Sequence, residues 1–203
     1  DEPLSALDAK LRDAMRLELV KLQQSIGVSF VMVTHDQDEA MAVADRIAVL
    51  DQGRMVQMAS PAELYQRPVD AFVADFIGRV NMFTPTKIEG QRVETEALGT
   101  LELPGVPDKA AGDLQLALRP EKIRVSLTAP EAVRGILREG TLGDVAFQGD
   151  HSIVEIRLGT GTALTAYADD GQTAALSAVP EGTPIFADWA PEDMMILSKP
   201  PHS

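Results

Sequence analysis

Two periodicities divide the chain. Leu7, Leu11, Met15, Leu19, Leu22 and Ile26 recur at spacings of three and four, which sets them along one face of a helix. Gly27 follows, a residue suited to a helix end. The next run, Ser29-Phe30-Val31-Met32-Val33-Thr34, is short, rich in β-branched residues and apolar on both alternating faces. That pattern predicts a strand covered on both sides in a parallel sheet. A second helix is predicted from about Asp36, where Asp36 and Glu39 stand at capping-box spacing. Runs at Arg46 to Leu50 and Met55 to Met58 flank Asp51-Gln52-Gly53-Arg54, whose glycine permits a tight turn between two strands. Short helices near Pro61 to Gln66 and Asp70 to Ile77 complete an α/β pattern.

After "FIGRVNMF" the period changes. Short apolar or alternating runs follow at close intervals: "LQLALR", "KIRVSL", "VRGILREG", "SIVEIRL", "ALTAYA", "PIFADWA" and "MMIL". Glycine, proline and aspartate separate them, and none carries a helical period, so a small β barrel or sandwich is predicted. The boundary falls near Gly78 to Asn81, giving an α/β part over residues 1–78 and a β-rich part over 79–203. "LPGVPDKAAGD" is expected to be an exposed connection, and no internal repeat is found.

Composition narrows the chemistry. The chain is 45% hydrophobic and 24% charged, ordinary for a globular protein with one sizeable core or two small ones. No apolar run approaches the roughly 18 residues of a membrane span, and no export signal opens the chain, so it is expected to be soluble and intracellular. The absence of cysteine removes disulfide, thiolate-metal and cysteine-nucleophile chemistry. The net charge of −13 disfavours binding to phosphate backbones, which depends on clustered cations, and nucleic acid is not expected as a partner. Acidity that maintains solubility accounts for the charge itself.

Two features could carry a reaction. Asp1 and Glu2 are adjacent, so on a strand their side chains point to opposite faces and cannot share a proton. At a strand's C-terminal end one can face a metal and the other a water; taken alone, the pair also reads as an acidic strand terminus. His35 follows the predicted buried strand, where open α/β sheets place ligand contacts, although a histidine there can equally cap a turn.

The combination "DEPLSALDAKLR", "VTHDQDEAMAVADRIAVLDQGR" and "SPAELYQRPVDAFVADFIG" resembles the nucleotide-binding subunit of ABC importers from its Walker B segment onward, over Asp1 to Gly78. The resemblance implies a P-loop NTPase-type α/β fold lacking its N-terminal part. It implies that Asp1 is the acid holding Mg2+, usually through water, and that Glu2 positions or deprotonates the attacking water. Ser5-Ala6-Leu7-Asp8 looks like the D-loop, so Ser5 and Asp8 would reach a partner subunit's ATP; His35 looks like the switch histidine that hydrogen-bonds the γ-phosphate. Phosphoryl transfer calls for these types: a metal to offset charge, a base or positioner for water, and donors around the transferred group. No GxxxxGK followed by Ser or Thr occurs, nor an LSGGQ-like signature, a glutamine loop or an adenine-stacking aromatic. In the family these precede the Walker B segment. The chain is therefore expected to be the latter part of a larger subunit, and alone neither to bind ATP tightly nor to hydrolyse it. If its sheet lacks a neighbour, strand exchange or non-native dimerisation is expected.

"LALRPEKIRVS" with "GDVAFQGDHSIVEIRLGTGTALTAYA" resembles the TOBE region appended to importers for sugars, polyamines and ferric ions, which implies an all-β, OB-like barrel used in subunit contact and regulation. The junction "FIGRVNMF" and "LALRPEKI" are most similar to subunits serving putrescine or spermidine uptake. Implied partners are a second ATP-binding subunit in a homodimer, integral membrane permease subunits and, indirectly, a periplasmic solute-binding protein. The implied location is cytoplasmic, on the inner face of the plasma membrane. Alternatives are a non-catalytic ligand-sensing barrel, or import of sugar, glycerol-phosphate or ferric ion. Oligonucleotide binding by the barrel is not expected, because aromatic residues make up only 4% of an acidic chain. Arg119 and Glu121 are expected to tie strands together or to form an interface, with the small energy of a surface pair. His151 and His202 are expected as surface histidines, and Trp189, Met194 and Met195 as packing residues.

Overall fold

The computed structural model describes residues 25–200 together with Met15, Glu18, Leu19, Lys21 and Leu22. Two compact units emerge: one runs to Val69 and includes Phe76–Gly78, and the other comprises Asp70–Asp75 and the chain from Arg79 onward.

In the first unit, Met15, Glu18, Leu19, Lys21, Leu22, Ser25 and Ile26 lie on helical backbone, which ends at Gly27 with φ +70°. Of the predicted helical face, Met15, Leu19, Leu22 and Ile26 are thus on helical backbone, Leu7 and Leu11 lie outside the described residues, and Met15, Leu22 and Ile26 are exposed. Residues 28–34 then correct the sequence expectation. They form no strand, and Val31 is 94% exposed, with Phe30 and Val33 also open to solvent. A strand covered on both faces needs backbone partners at its edge and layers above and below it. The described residues supply neither, so the apolar pattern records a burial for which the sequence is suited rather than one found here.

Helix α1 (Gln37–Val43) is capped by Asp36, whose Oδ1 accepts from Glu39 N. β1 (Ile47–Asp51) and β2 (Arg54–Ala59) form an antiparallel hairpin with an irregular register at Val49/Leu50. Its turn places Gln52 at φ 47° and Gly53 at φ 78°, the paired left-handed conformation that fits a two-residue hairpin to the strand twist. α2 (Pro61–Gln66) starts with Pro61 in its first turn and is capped by the Ser60 hydroxyl. Gln57 on β2 donates to Arg67 O and accepts from Val69 N, which ties the exit of α2 back to the hairpin. Val49, Ala59 and Leu64 are the buried apolar side chains of these elements.

The second unit is mostly β, as expected. α3 (Ala71–Phe76) begins at Asp70, whose carboxylate accepts from Val73 N; Ala71 and Ala74 pack with Ala117 and Leu197. The strands are β3 (Asn81–Phe83), β4 (Pro85–Glu89), β5 (Arg92–Thr95), β6 (Gly99–Glu102), β7 (Leu114–Leu118), β8 (Arg124–Ser126), β9 (Ile136–Phe147), β10 (Ser152–Leu158), β11 (Ala163–Ala168), β12 (Pro184–Trp189) and β13 (Met195–Ser198). They pair as three sheets in the orders β11-β10-β9-β12-β8, β13-β7-β3 and β4-β5-β6, with antiparallel neighbours throughout. Alternate residues of β10 and β11 face inward, so Val154, Ile156, Leu164 and Ala166 enter one core with Leu118, Leu142, Ile185 and Trp189. Met194 joins that core and Met195 packs with the alanine cluster.

Two side chains tie elements of this unit together. Asn81 on β3 donates from Nδ2 to Leu118 O and Thr165 O, while its Oδ1 accepts from Thr165 N at 2.7 Å. Arg119 is buried and donates to Ala74 O at 2.9 Å and to Arg79 O at 3.1 Å. This corrects the expectation of a weak surface pair: the last carbonyls of a helix lack intrahelical donors, and the buried guanidinium supplies one inside the unit. Glu121 is exposed. The structure also adds α4 (Asp170–Ser177), a helix that the run of short apolar segments does not predict. Its capping box is complete, with Asp169 accepting from Gln172 N and the Gln172 side chain returning to Asp169 N.

Candidate functional site

Asp1, Glu2, Ser5 and Asp8 lie outside the described residues, as does His202. Of the residues read as a reaction centre, His35 can therefore be followed in space, and the turn that carries it is built locally.

Thr34 precedes the histidine, and its hydroxyl accepts from Asp36 N at 3.0 Å while donating to Glu39 Oε2 at 2.5 Å. Asp36 caps α1 by accepting from Glu39 N at 2.9 Å, and Ala40 N donates to Asp36 O at 3.1 Å. Only half of the predicted capping box is realised. The Asp36 side chain does cap, but Asp36 N–H goes to the Thr34 hydroxyl, and the Glu39 carboxylate is turned onto that same hydroxyl. Glu39 is 3% exposed, and its Oε1 is buried with no hydrogen-bond partner among the described residues. His35 itself is exposed. A short hydrogen-bonded turn thus holds the backbone on both sides of the exposed His35. The sequence pattern marks Asp36 and Glu39 only as a helix start and does not single out Thr34.

The second unit has its own polar clusters. His151 Nδ1 lies 2.7 Å from Asp150 Oδ1, and its ring centroid is 4.3 Å from that of Tyr167. The bond from His151 holds the Asp150 carboxyl below its usual range, while burial pushes the Tyr167 phenol above its own. Asp188 is buried and accepts from Arg124 Nε and an Arg124 terminal nitrogen, each at 2.8 Å, and from Arg134 N at 3.1 Å. This arrangement anchors β8 to β12 and to the segment before β9, and it holds the Arg124 guanidinium above its ordinary value. Among the described residues, no three His, Asp or Glu side chains gather where they could hold a metal ion, and no helix is long and apolar enough to cross a membrane.

Residues 116–197 match the family described as TOBE domain. The spermidine/putrescine import ATP-binding protein PotA of Rubrobacter xylanophilus is 39% identical over 97% of this chain and 52% of its own length. The protein of the same name from Nostoc sp. is 37% identical over 98% of this chain and 53% of its own length. That from Frankia alni is 35% identical over 98% and 46%. The chain thus spans about half the length of the curated relatives it matches. A solved structure of the cytoplasmic molybdate-binding protein ModG, with molybdate bound, aligns over 60% of this chain and 96% of that one at 14% identity and a TM-score of 0.47.

Proposed function

We propose, for a chain that carries a TOBE domain and is related along nearly its whole length to PotA-type spermidine/putrescine import ATP-binding proteins, that it forms the C-terminal part of an ABC importer subunit driving polyamine uptake by ATP hydrolysis. The observation that carries this reading is the identity of 35 to 39% over 97 to 98% of the chain. Because those relatives are about twice as long, the reading assigns residues 1–78 to the later part of a nucleotide-binding domain and 79–203 to a TOBE barrel for subunit contact and regulation. The exposed apolar run at 28–33 supports this assignment, since it has the composition of a sheet strand whose neighbours lie elsewhere in the subunit.

In this reading Asp1 holds Mg2+, for which a carboxylate oxygen is the appropriate hard donor. The ion, when bound, offsets charge on the β- and γ-phosphates. Glu2 accepts a proton from the attacking water, and His35 donates a hydrogen bond to a γ-phosphate oxygen of ATP. The exposed position of His35, directly after the apolar run, supports that role. Ser5 and Asp8 reach the nucleotide of a second, identical subunit. The pair of subunits works from the inner face of the plasma membrane on permease subunits, which receive polyamine from a periplasmic binding protein. The chain alone, with no phosphate-binding loop in its sequence, does not turn over ATP.

The test uses the intact subunit assembled with its permease. Polyamine-loaded binding protein stimulates phosphate release, and Glu2→Gln leaves ATP binding in place while lowering hydrolysis roughly 100-fold or more, the scale of a lost general base. Parental turnover in Glu2→Gln removes Glu2 from its role. Stimulation by a sugar, with none by putrescine or spermidine, replaces the solute.

A further inference from the structure

We infer that Thr34 and Glu39 are positioning residues for His35, a role that rests on the γ-phosphate function proposed above for that histidine. The hydrogen bonds around the turn form a closed circuit. Asp36 N donates to Thr34 Oγ1, Thr34 Oγ1 donates to Glu39 Oε2, and Glu39 N donates to Asp36 Oδ1. Residue 35 sits inside that circuit, with the side chain before it and the amide after it both committed. The hydroxyl of Thr34 uses its donor and an acceptor at once, so it cannot rotate without breaking one bond.

Helix capping alone does not account for this arrangement. A glutamate at the third helical position stabilises the start best by reaching back to the N-cap amide, which satisfies an otherwise orphan donor. Here that amide is already taken by Thr34, and Glu39 bears on Thr34 instead. Glu39 is also 3% exposed and leaves Oε1 buried without a hydrogen-bond partner among the described residues, a costly placement for a carboxylate. An exposed N-cap would serve the short α1 without such a buried acid. The arrangement instead narrows the directions in which the His35 imidazole can point. In a phosphoryl-transfer site, misplacing a donor by about 1 Å can cost on the order of 100-fold in rate.

The decisive measurement is steady-state ATP hydrolysis by the intact, assembled subunit carrying Thr34→Val, Thr34→Ser, Glu39→Leu and His35→Ala, singly and in pairs with His35→Ala. Thr34→Val keeps the volume and loses both hydroxyl bonds, and Glu39→Leu removes the buried acceptor. Each is expected to lower kcat about tenfold or more while the KM for ATP stays within about twofold, because binding is left to other groups. Thr34→Ser restores most of the lost turnover. In the His35→Ala background neither substitution lowers kcat further, since both act through the missing imidazole. Parental kcat in Thr34→Val and Glu39→Leu overturns the inference, as does an equal further loss in the His35→Ala background. If Glu39→Leu does not fold, the Thr34 pair decides the matter. Full turnover in His35→Ala is a distinct outcome: it overturns the function proposed for the histidine, and the positioning role with it.

Discussion

Tyr167 shows how a single side chain can make stability depend on pH. Burial is the largest influence on its phenol and raises its pKa. Arg79 and Arg119 pull it down, whereas Glu121 and Asp150 push it up. In the folded state the proton is therefore held to higher pH than in the unfolded chain. As pH rises past the ordinary tyrosine value of about 10, the unfolded state loses its proton first and the folded state loses stability relative to it. The urea midpoint is expected to fall above that pH, and Tyr167→Phe should make the fall shallower; an identical pH profile in the variant would exclude this phenol as the source. Such roles are poorly legible from sequence because their causes are remote. Arg119 donates to Ala74 O, 45 residues away, so no local pattern announces that the guanidinium is buried. The family resemblance of its surrounding motif is what singles out His35 in the sequence, and its role is a proposal. The Thr34–Glu39 bond, by contrast, replaces the capping box that the same spacing predicts, and only the geometry reveals the exchange.

At the scale of elements, local patterns succeed where an element's partner is nearby. The β1–β2 hairpin was legible because its turn and both strands fall within one stretch, and Gly53 adopts the positive φ that the turn requires. The short helices after it begin at Ser60 and Asp70, residue types whose side chains accept from a backbone amide in the first turn. α4 was missed because a short segment containing Gly171 and few apolar residues shows little period, although Asp169 and Gln172 gave a readable start signal. Residues 28–34 fail in the opposite direction: the pattern is strong, but the described residues offer no neighbour that pairs with it as a strand. This carries a solution consequence. The isolated chain, with Phe30, Val31 and Val33 exposed, is expected to self-associate as concentration rises, and Val31→Lys should reduce that association by placing a charge in an apolar run. Light scattering across a concentration series checks it; a parental chain that stays monomeric throughout refutes the expectation.

For the molecule as a whole, the mostly β composition of the second unit follows from alternation that the sequence displays openly. The order in which its strands pair was not legible. β9 is flanked by β10 and by β12, which is far along the chain, and a register of that kind is chosen by the shared core of Leu142, Ile156, Ile185 and Trp189 rather than by any turn. That core also has an optical consequence. Trp189 is the chain's one tryptophan, and it is fully buried in the β-rich unit. Its emission should be blue-shifted and should move to the red only as that unit opens, whereas far-ultraviolet ellipticity sums over every helix and strand. A denaturant titration read both ways thus contains a built-in gauge: the indole times the loosening of the sheets, and whatever ellipticity changes at other concentrations belongs to the rest of the chain.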